Sequence, residues 1–171
     1  MASTISVDTI QGSTAADKVI MPTGGHVIQT QYMQSGLSYQ EIASTSMTEV
    51  TGFNVTITPK FTTSKIKITS QISWWLTSDN NNYMFLTYYR DIGGGGYSNM
   101  AAVAPYYALQ FYAPGRNSGW NSTSHLIFID QPSSTSAVTY KLYARYYDAT
   151  NNIRLKYNQT MSLMTAEEIA A

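Results

Sequence analysis

The clearest pattern in this chain is an alternation of apolar and polar residues, which recurs in short stretches from about residue 48 onward. In residues 65–74, for example, Ile66, Ile68, Ile72 and Trp74 share one parity and the residues between them are polar. A period of two predicts β-strands with one buried face and one wetter face. The strands predicted in this way are 26–34, 48–58, 64–76, 83–91, 103–112, 122–130, 137–147, 152–158 and 160–165.

The segments between these strands are turn sequences rich in Asn, Gly, Pro and Ser. Residues 93–96 are four glycines, and no Gly-Lys-Ser/Thr motif follows them, so they predict a hairpin loop and not a phosphate-binding loop. Residues 165–170 fit either a helical turn or a terminal strand. Short strands without intervening helices predict an all-β fold, an antiparallel β-sandwich, for which we favour a two-sheet jelly roll.

The first 46 residues are richer in Ser, Thr, Gln and Gly and poorer in large apolar side chains. A Pro-Thr-Gly-Gly turn predicts a boundary near residue 25, with an extended arm at 1–25 and the sandwich at 26–171. The arm contains a short alternating strand, and a single short strand is unstable alone. We therefore predict that Ile5, Val7 and Ile10 attach the chain to a larger assembly; a frayed terminus is the alternative.

The predicted strand at 137–147 carries aromatic residues on both of its faces. One face holds Tyr140 and Tyr146 among aliphatic residues, while the other holds Tyr143, Arg145 and Tyr147. A monomeric sandwich would leave the second face in water, so this face predicts a subunit interface. Tyrosines exposed singly on a strand are the alternative.

Composition limits the classes of partner that the chain is expected to bind. Charged residues make up 12% of the chain, about half the share of roughly 25% usual for soluble domains, and the net charge is zero. A neutral chain lacks the field that attracts nucleic acid. Fourteen tyrosines are typical of interfaces. The chain contains no apolar run of about 18 residues, so membrane insertion is not predicted. Its first residues lack the pattern of a secretory signal. We expect assembly inside a cell followed by release on lysis.

Candidate chemistry is sparse. His26 and His125 have no second ligand type at metal-site spacing, so neither a metal nor a cofactor is predicted. No Gly-x-Ser-x-Gly motif is present. The adjacent Glu167 and Glu168 are expected to be solvated. Four aspartates look isolated, and most lie at predicted strand ends, where they would accept hydrogen bonds from turn amides: Asp79, Asp91, Asp130 and Asp148. The chain is therefore predicted not to be an enzyme, and polysaccharide hydrolysis is the weakest alternative.

Adjacent aromatic residues recur along the predicted strands. Neighbours on a strand point to opposite faces, so one ring of each pair should be in the core and the other outside. If the outward rings gather on one surface they could stack on sugar rings; otherwise they would form the subunit interface, which we favour. The pairs are Trp74-Trp75, Tyr88-Tyr89, Tyr106-Tyr107, Phe111-Tyr112 and Tyr146-Tyr147.

Several segments resemble one family in order along the chain. They are Ser-Thr-Ile-Ser-Val-Asp-Thr-Ile-Gln-Gly from residue 3, Val-Ile-Met-Pro-Thr-Gly-Gly-His-Val-Ile-Gln from residue 19, Val-Thr-Ile-Thr-Pro from residue 55, Thr-Ser-Lys-Ile from residue 63 and Ser-Ser-Thr-Ser-Ala-Val-Thr-Tyr from residue 133. They resemble structural proteins from the virions of marine tailed bacteriophages, cyanophages especially. The likeness covers most of the chain.

The resemblance implies a fibre, knob or capsid decoration protein. It implies a homotrimer of jelly rolls similar in shape to the tumour-necrosis-factor and C1q type, attached to other virion proteins of the capsid or tail. A shaft, a collagen-like repeat and a coiled coil are missing from the sequence, which favours a short appendage or decoration. The alternative is a receptor-binding tip for host attachment that recognises surface glycan through Trp120, Asn80 and Arg116 in predicted loops.

Overall fold

The computed structural model of the chain describes residues 25–35, 38–76, 82–101, 108–113, 120–147, 153–156 and 161–171. Within these residues the protein is all-β and contains no helix. The strands are β1 Val27–Ser35, β2 Gln40–Ile42, β3 Thr48–Ile57, β4 Lys65–Leu76, β5 Asn82–Ile92, β6 Ser98–Asn99, β7 Leu109–Ala113, β8 Trp120–Asp130, β9 Val138–Tyr146, β10 Ile153–Leu155 and β11 Ser162–Ile169.

Two antiparallel sheets contain these strands. In the six-stranded sheet β4 is central: β8 pairs with one edge of it, and β11 and β10 pair in succession with the other edge. Strands β1 and β2 then lie beside β11 and β10. The five-stranded sheet has the order β3-β9-β5, with β7 and β6 in succession along the far edge of β5. The predicted antiparallel β-sandwich with a jelly-roll strand order is confirmed.

The inner faces of the two sheets form the core. The alternation in β4 places Ile66, Ile68, Ile72 and Trp74 inside, as the pattern predicts. Strand β9 has the same strict alternation of buried and half-buried residues. Its inward residues are Val138, Tyr140, Leu142, Ala144 and Tyr146. Burial of large apolar side chains from both sheets is the main force that holds them together.

A buried polar network joins the sheets near the end of β8. The Asp130 carboxylate accepts hydrogen bonds from Arg90 Nη1 at 2.7 Å and from the Tyr140 hydroxyl at 2.8 Å. Burial, together with the neighbouring carboxylate, raises the pKa of Tyr140. Asp130 was predicted to accept turn amides, and this is wrong for it because its side chain points into the sandwich. The prediction is confirmed for Asp91, whose carboxylate accepts from Gly96 N at 2.8 Å.

A second inner tyrosine makes a similar bridge. The Tyr88 hydroxyl, on β5, donates to Ser70 Oγ at 2.6 Å and lies 3.0 Å from the Leu126 carbonyl on the opposite sheet. The ring is fully buried, and burial raises the pKa of this phenol. Tyr140 and Tyr88 therefore each combine apolar packing with a polar tip that reaches across the core.

The C-terminal residues form a strand and not a helical turn. In β11, Ser162, Met164, Ala166 and Glu168 share the inward face. Glu168 is fully buried, which corrects the expectation that it is solvated. Its carboxylate accepts from Gln29 Nε2 at 2.6 Å and from the backbone amides at 60 and 61, so it ties the β3–β4 connection to β1. Donors of this kind satisfy a buried carboxylate.

The glycine run at 93–96 closes a hairpin between β5 and β6, as predicted. Gly93, Gly94 and Gly96 have φ of 62°, 85° and 102°, a region that L-residues with a side chain rarely adopt. The Gly93 amide also donates to the Ala137 carbonyl at 2.9 Å, which joins this hairpin to the β8–β9 connection.

Other predictions lie partly or wholly outside the described residues. Residues 1–24 are outside, so the arm, its boundary at residue 25 and the anchoring role of Ile5, Val7 and Ile10 stay predictions. Of the predicted strand 103–112, the structure describes 108 onward, where β7 begins at Leu109.

Candidate functional site

Both sheets present an outer face, and these two faces are the candidate binding surfaces because the inner faces are occupied by the core. Opposed residues in neighbouring antiparallel strands project from the same face. On the outer face of the six-stranded sheet, Ile127 lies opposite Thr69, Thr69 opposite Thr165, and Thr165 opposite Tyr32. The adjacent row begins with Ile129. This row order brings residues from four strands onto one continuous surface.

The isoleucine face is the name used here for the outward side chains of Ile127, Ile129, Leu163 and Tyr32. All four are exposed, and the two isoleucines on the edge strand β8 are 61% and 59% exposed. Ile127 and Ile129 are neighbours on one side of β8, whereas Thr69 and Thr165 lie between Ile127 and Tyr32. Large apolar side chains grouped on one exposed face mark an interaction surface, whereas single ones do not. The isoleucine face therefore fits contact with a protein.

Charge on the isoleucine face is balanced within the chain. Lys67 Nζ lies 2.9 Å from Glu167 Oε2 in the row between Ile129 and β1. These are the charged side chains in the rows that contain Ile127 and Ile129 among the described residues. An apolar patch with one neutralised pair has no preference for a strongly charged partner.

The outer face of the five-stranded sheet is aromatic. Tyr143 on β9 stacks on Tyr89 with ring centroids 3.9 Å apart, and the Arg145 guanidinium lies 4.2 Å over the Phe85 ring. Arg145 Nη1 also donates to the Thr45 carbonyl at 3.3 Å. The prediction that β9 carries aromatic and basic residues on its second face is confirmed.

The other cation on this outer face is also paired inside the chain. Lys141 Nζ lies 2.9 Å from Glu49 Oε2 and 4.3 Å over the Tyr97 ring. The hydrogen bond to Glu49 raises the pKa of Lys141, and partial burial raises the pKa of Tyr143. The cations here serve to hold rings in place.

At one end of this face, three rings form what we name the tyrosine cluster, composed of Tyr83, Tyr112 and Tyr147. Tyr83 is central: its centroid lies 4.6 Å from that of Tyr112 in a stacked pair and 5.1 Å from that of Tyr147 in a tilted pair. Phe85 extends the stack on the same strand, 6.2 Å from Tyr83. The outer members Tyr112 and Tyr147 are 43% and 58% exposed.

The cluster follows from strand register. Tyr83 lies directly opposite Tyr112 across the β5–β7 pair. The Tyr147 amide donates to the Tyr83 carbonyl at 3.1 Å, which extends the β9–β5 pairing by one residue. Cross-strand neighbours on one face are close enough for ring stacking, so backbone pairing fixes the arrangement.

The structure places the predicted subunit-interface residues on the aromatic face. Tyr143 and Arg145 are half-buried against Tyr89 and Phe85, whereas Tyr147 is exposed in the tyrosine cluster. Neighbours in the same chain therefore cover part of the surface that a partner was expected to cover. Their assignment to a subunit interface stays a prediction.

Of the predicted receptor contacts, Trp120 is described and Asn80 and Arg116 lie outside the described residues. Trp120 opens β8 and is exposed, with its ring edge-on to the buried Trp74 ring at 5.9 Å. It lies at the same end of the sandwich as the tyrosine cluster, because β8 begins where β4 ends and β5 begins shortly afterwards.

Four aromatic pairs behave as the strand geometry predicts, with one ring inside and one more exposed: Trp74-Trp75, Tyr88-Tyr89, Phe111-Tyr112 and Tyr146-Tyr147. Sequence reasoning did not single out Tyr83, the centre of the tyrosine cluster. Its signal was its parity, since Tyr83 alternates with the inward Met84 and Leu86.

Metal-ligating side chains do not cluster in the described part of the chain. There, no three His, Asp or Glu side chains come together in a group that could hold a metal ion. His125 is exposed on the outer face of the six-stranded sheet, opposite Gln71. No helix among the described residues has the length and apolarity needed to cross a membrane.

Comparison with known proteins adds no identification. The chain matches no protein-family model, and no curated protein matches it.

Proposed function

We propose that this protein is a non-enzymatic structural component of a tailed-phage virion, a short head or tail surface appendage or decoration protein that self-associates as a trimer. Its phage origin rests on the family resemblance of the segments that begin at residues 3, 19, 55, 63 and 133. The low charge, the high tyrosine content and the sandwich fold support a binding and assembly role.

The observation that carries self-association is the isoleucine face. Ile127 and Ile129 leave about three fifths of their side chains in water. Completing the burial of two such side chains would contribute about 1–2 kcal/mol each, before the cost of association. Tyr32 and Leu163 extend the same surface across β1 and β11. A second copy fits because Ile127 and Ile129 are apolar and the Lys67–Glu167 pair beside them has no net charge.

This assignment differs from the predicted interface at Tyr143, Arg145 and Tyr147. All three of those side chains already have ring contacts within the chain, at 3.9, 4.2 and 5.1 Å, whereas the outward isoleucines are aliphatic and largely in water. Burial by a partner contributes more free energy where aliphatic side chains are still in water than where the same chain already covers the side chains.

Charge substitution on each face separates the two possibilities. Ile129→Asp should yield monomers with an unchanged circular dichroism spectrum, because the side chain is outside the core. Thr123→Asp is the matched control, since Thr123 is exposed with the same parity on the same strand, and it should keep the wild-type mass. Tyr147→Asp tests the aromatic face and should also keep it. Monomers from Tyr147→Asp alone would reject the isoleucine face as the interface.

The anchoring role of the arm has its own test. Removal of residues 1–20 should leave a folded, self-associated protein that is no longer incorporated into phage particles. Loss of self-association on this deletion would contradict the division between an anchoring arm and an assembling sandwich. An image of labelled particles would show whether the protein lies on the head or the tail.

A further inference from the structure

We infer that the tyrosine cluster is a binding site for a neutral oligosaccharide built of pyranose rings. This inference goes beyond the structural role and does not depend on it, because the cluster lies on the five-stranded sheet, away from the isoleucine face. Three rings on adjacent strands are held together there, and the two outer rings are substantially exposed.

Backbone pairing holds the three rings of the tyrosine cluster beside one another. Tyr83 is sandwiched between Tyr112 and Tyr147, and β7–β5 pairing and the Tyr147 amide bond fix the strands that carry these rings. Tyrosine has few rotatable bonds, so it supplies contact area at a small cost in entropy. The outer rings Tyr112 and Tyr147 therefore offer preorganised aromatic surface at each end of a stack.

A pyranose ring is the ligand whose chemistry fits this surface. One side of the sugar ring carries mainly C–H groups that can pack on an aromatic face, and its rim carries hydroxyls that can bond to phenol hydroxyls. Tyr112 and Tyr147, which lie on either side of Tyr83, would each contact one unit of a sugar chain.

Charge argues for a neutral sugar. The cations on this face already have acceptors: Arg145 contacts Phe85 and the Thr45 carbonyl, and Lys141 contacts Glu49 and Tyr97. The tyrosine cluster itself contains no acidic or basic side chain. A net charge of zero also gives no long-range attraction for polyanions.

The experiment uses the assembled full chain on an array that carries neutral hexose oligosaccharides and uronate-containing ones, with hits titrated by calorimetry. We expect a neutral oligosaccharide to bind. Tyr112→Ala and Tyr147→Ala should each weaken binding roughly tenfold, the scale of losing one stacked ring in other ligand sites. Tyr112→Phe keeps the ring and should retain most of the affinity. Tyr39→Ala removes an exposed tyrosine elsewhere and should change nothing.

Several results would overturn the inference. One is an array without a hit, and another is a titration in which neither alanine variant weakens binding. Binding confined to the uronate-containing oligosaccharides would reject the neutral class. If Tyr112→Ala or Tyr147→Ala dissociated the assembled protein, the tyrosine cluster would be a subunit contact and not a ligand site.

Discussion

Asp130→Ala is the perturbation that the sandwich should tolerate least among its polar residues. The Asp130 carboxylate connects the edge strand β8 to the opposite sheet through Arg90 Nη1 at 2.7 Å and the Tyr140 hydroxyl at 2.8 Å. Its side chain is 9% exposed, while that of Arg90 is 28% exposed. Alanine would leave a guanidinium without this carboxylate and a buried phenol without its acceptor.

The expected loss is about 3 kcal/mol in the free energy of unfolding. Removing one partner of a buried ion pair costs about 3–5 kcal/mol. The lower end applies here because Arg90 keeps some contact with water, which screens its charge. For a chain of this size, 3 kcal/mol corresponds to a fall in Tm of about 6–12 °C.

Thermal unfolding followed by circular dichroism would measure this at one fixed protein concentration, since self-association also affects Tm. Glu41→Ala is the matched comparison. Glu41 pairs with Arg154 at 3.0 Å, but its side chain is 42% exposed, so its loss should cost less than about 1 kcal/mol. Equal Tm values for Asp130→Ala and Glu41→Ala would show that the burial of Asp130 does not make its ion pair more stabilising than the exposed one.

Two further predictions concern buried polar groups. Glu168→Gln should lower the free energy of unfolding by about 2 kcal/mol, because a buried carboxylate that accepts three N–H groups becomes an amide. Glu167→Gln on the outer face is the control and should lower it by less than about 1 kcal/mol. Equal urea midpoints for the two variants would contradict this prediction. Burial raises the pKa of Tyr88 in the folded protein. The stability that the buried neutral phenol contributes is therefore fully present below its unfolded pKa near 10 and is lost as the pH rises above that value. Tyr88→Phe should therefore reduce the fall of stability above pH 10 by about 1.4 kcal/mol per pH unit, and an unchanged slope in alkaline denaturation would contradict it.

Strands β4 and β9 were readable from the chain because one parity is apolar, with Ser70 in β4 as the exception, and the other is mostly polar. Such a pattern fixes both the strand and its buried face. Strand β8 was harder, since Leu126, Ile127, Phe128 and Ile129 are four apolar residues in a row. Local pattern cannot choose the buried parity there, so the exposure of the isoleucines became evident only from the pairing of β8 with β4.

The polar network was not predictable for a different reason. Asp130, Arg90 and Tyr140 come from three strands, and a partner 40 residues away leaves no local signal. Glu168 did carry a signal, since it has the parity of the inward Met164 and Ala166. The backbone amides that bind this carboxylate lie in the distant β3–β4 connection, so the sequence near Glu168 does not show them. Without them, a carboxylate on the apolar parity looks like the exposed end of a strand. Long-range register likewise created the tyrosine cluster.

Sedimentation equilibrium of the purified full chain would show whether this sandwich associates with copies of itself. We expect a mass three times the 19.0 kDa of one chain, maintained on dilution into the micromolar range. A single species at 19.0 kDa under the same conditions would contradict self-association.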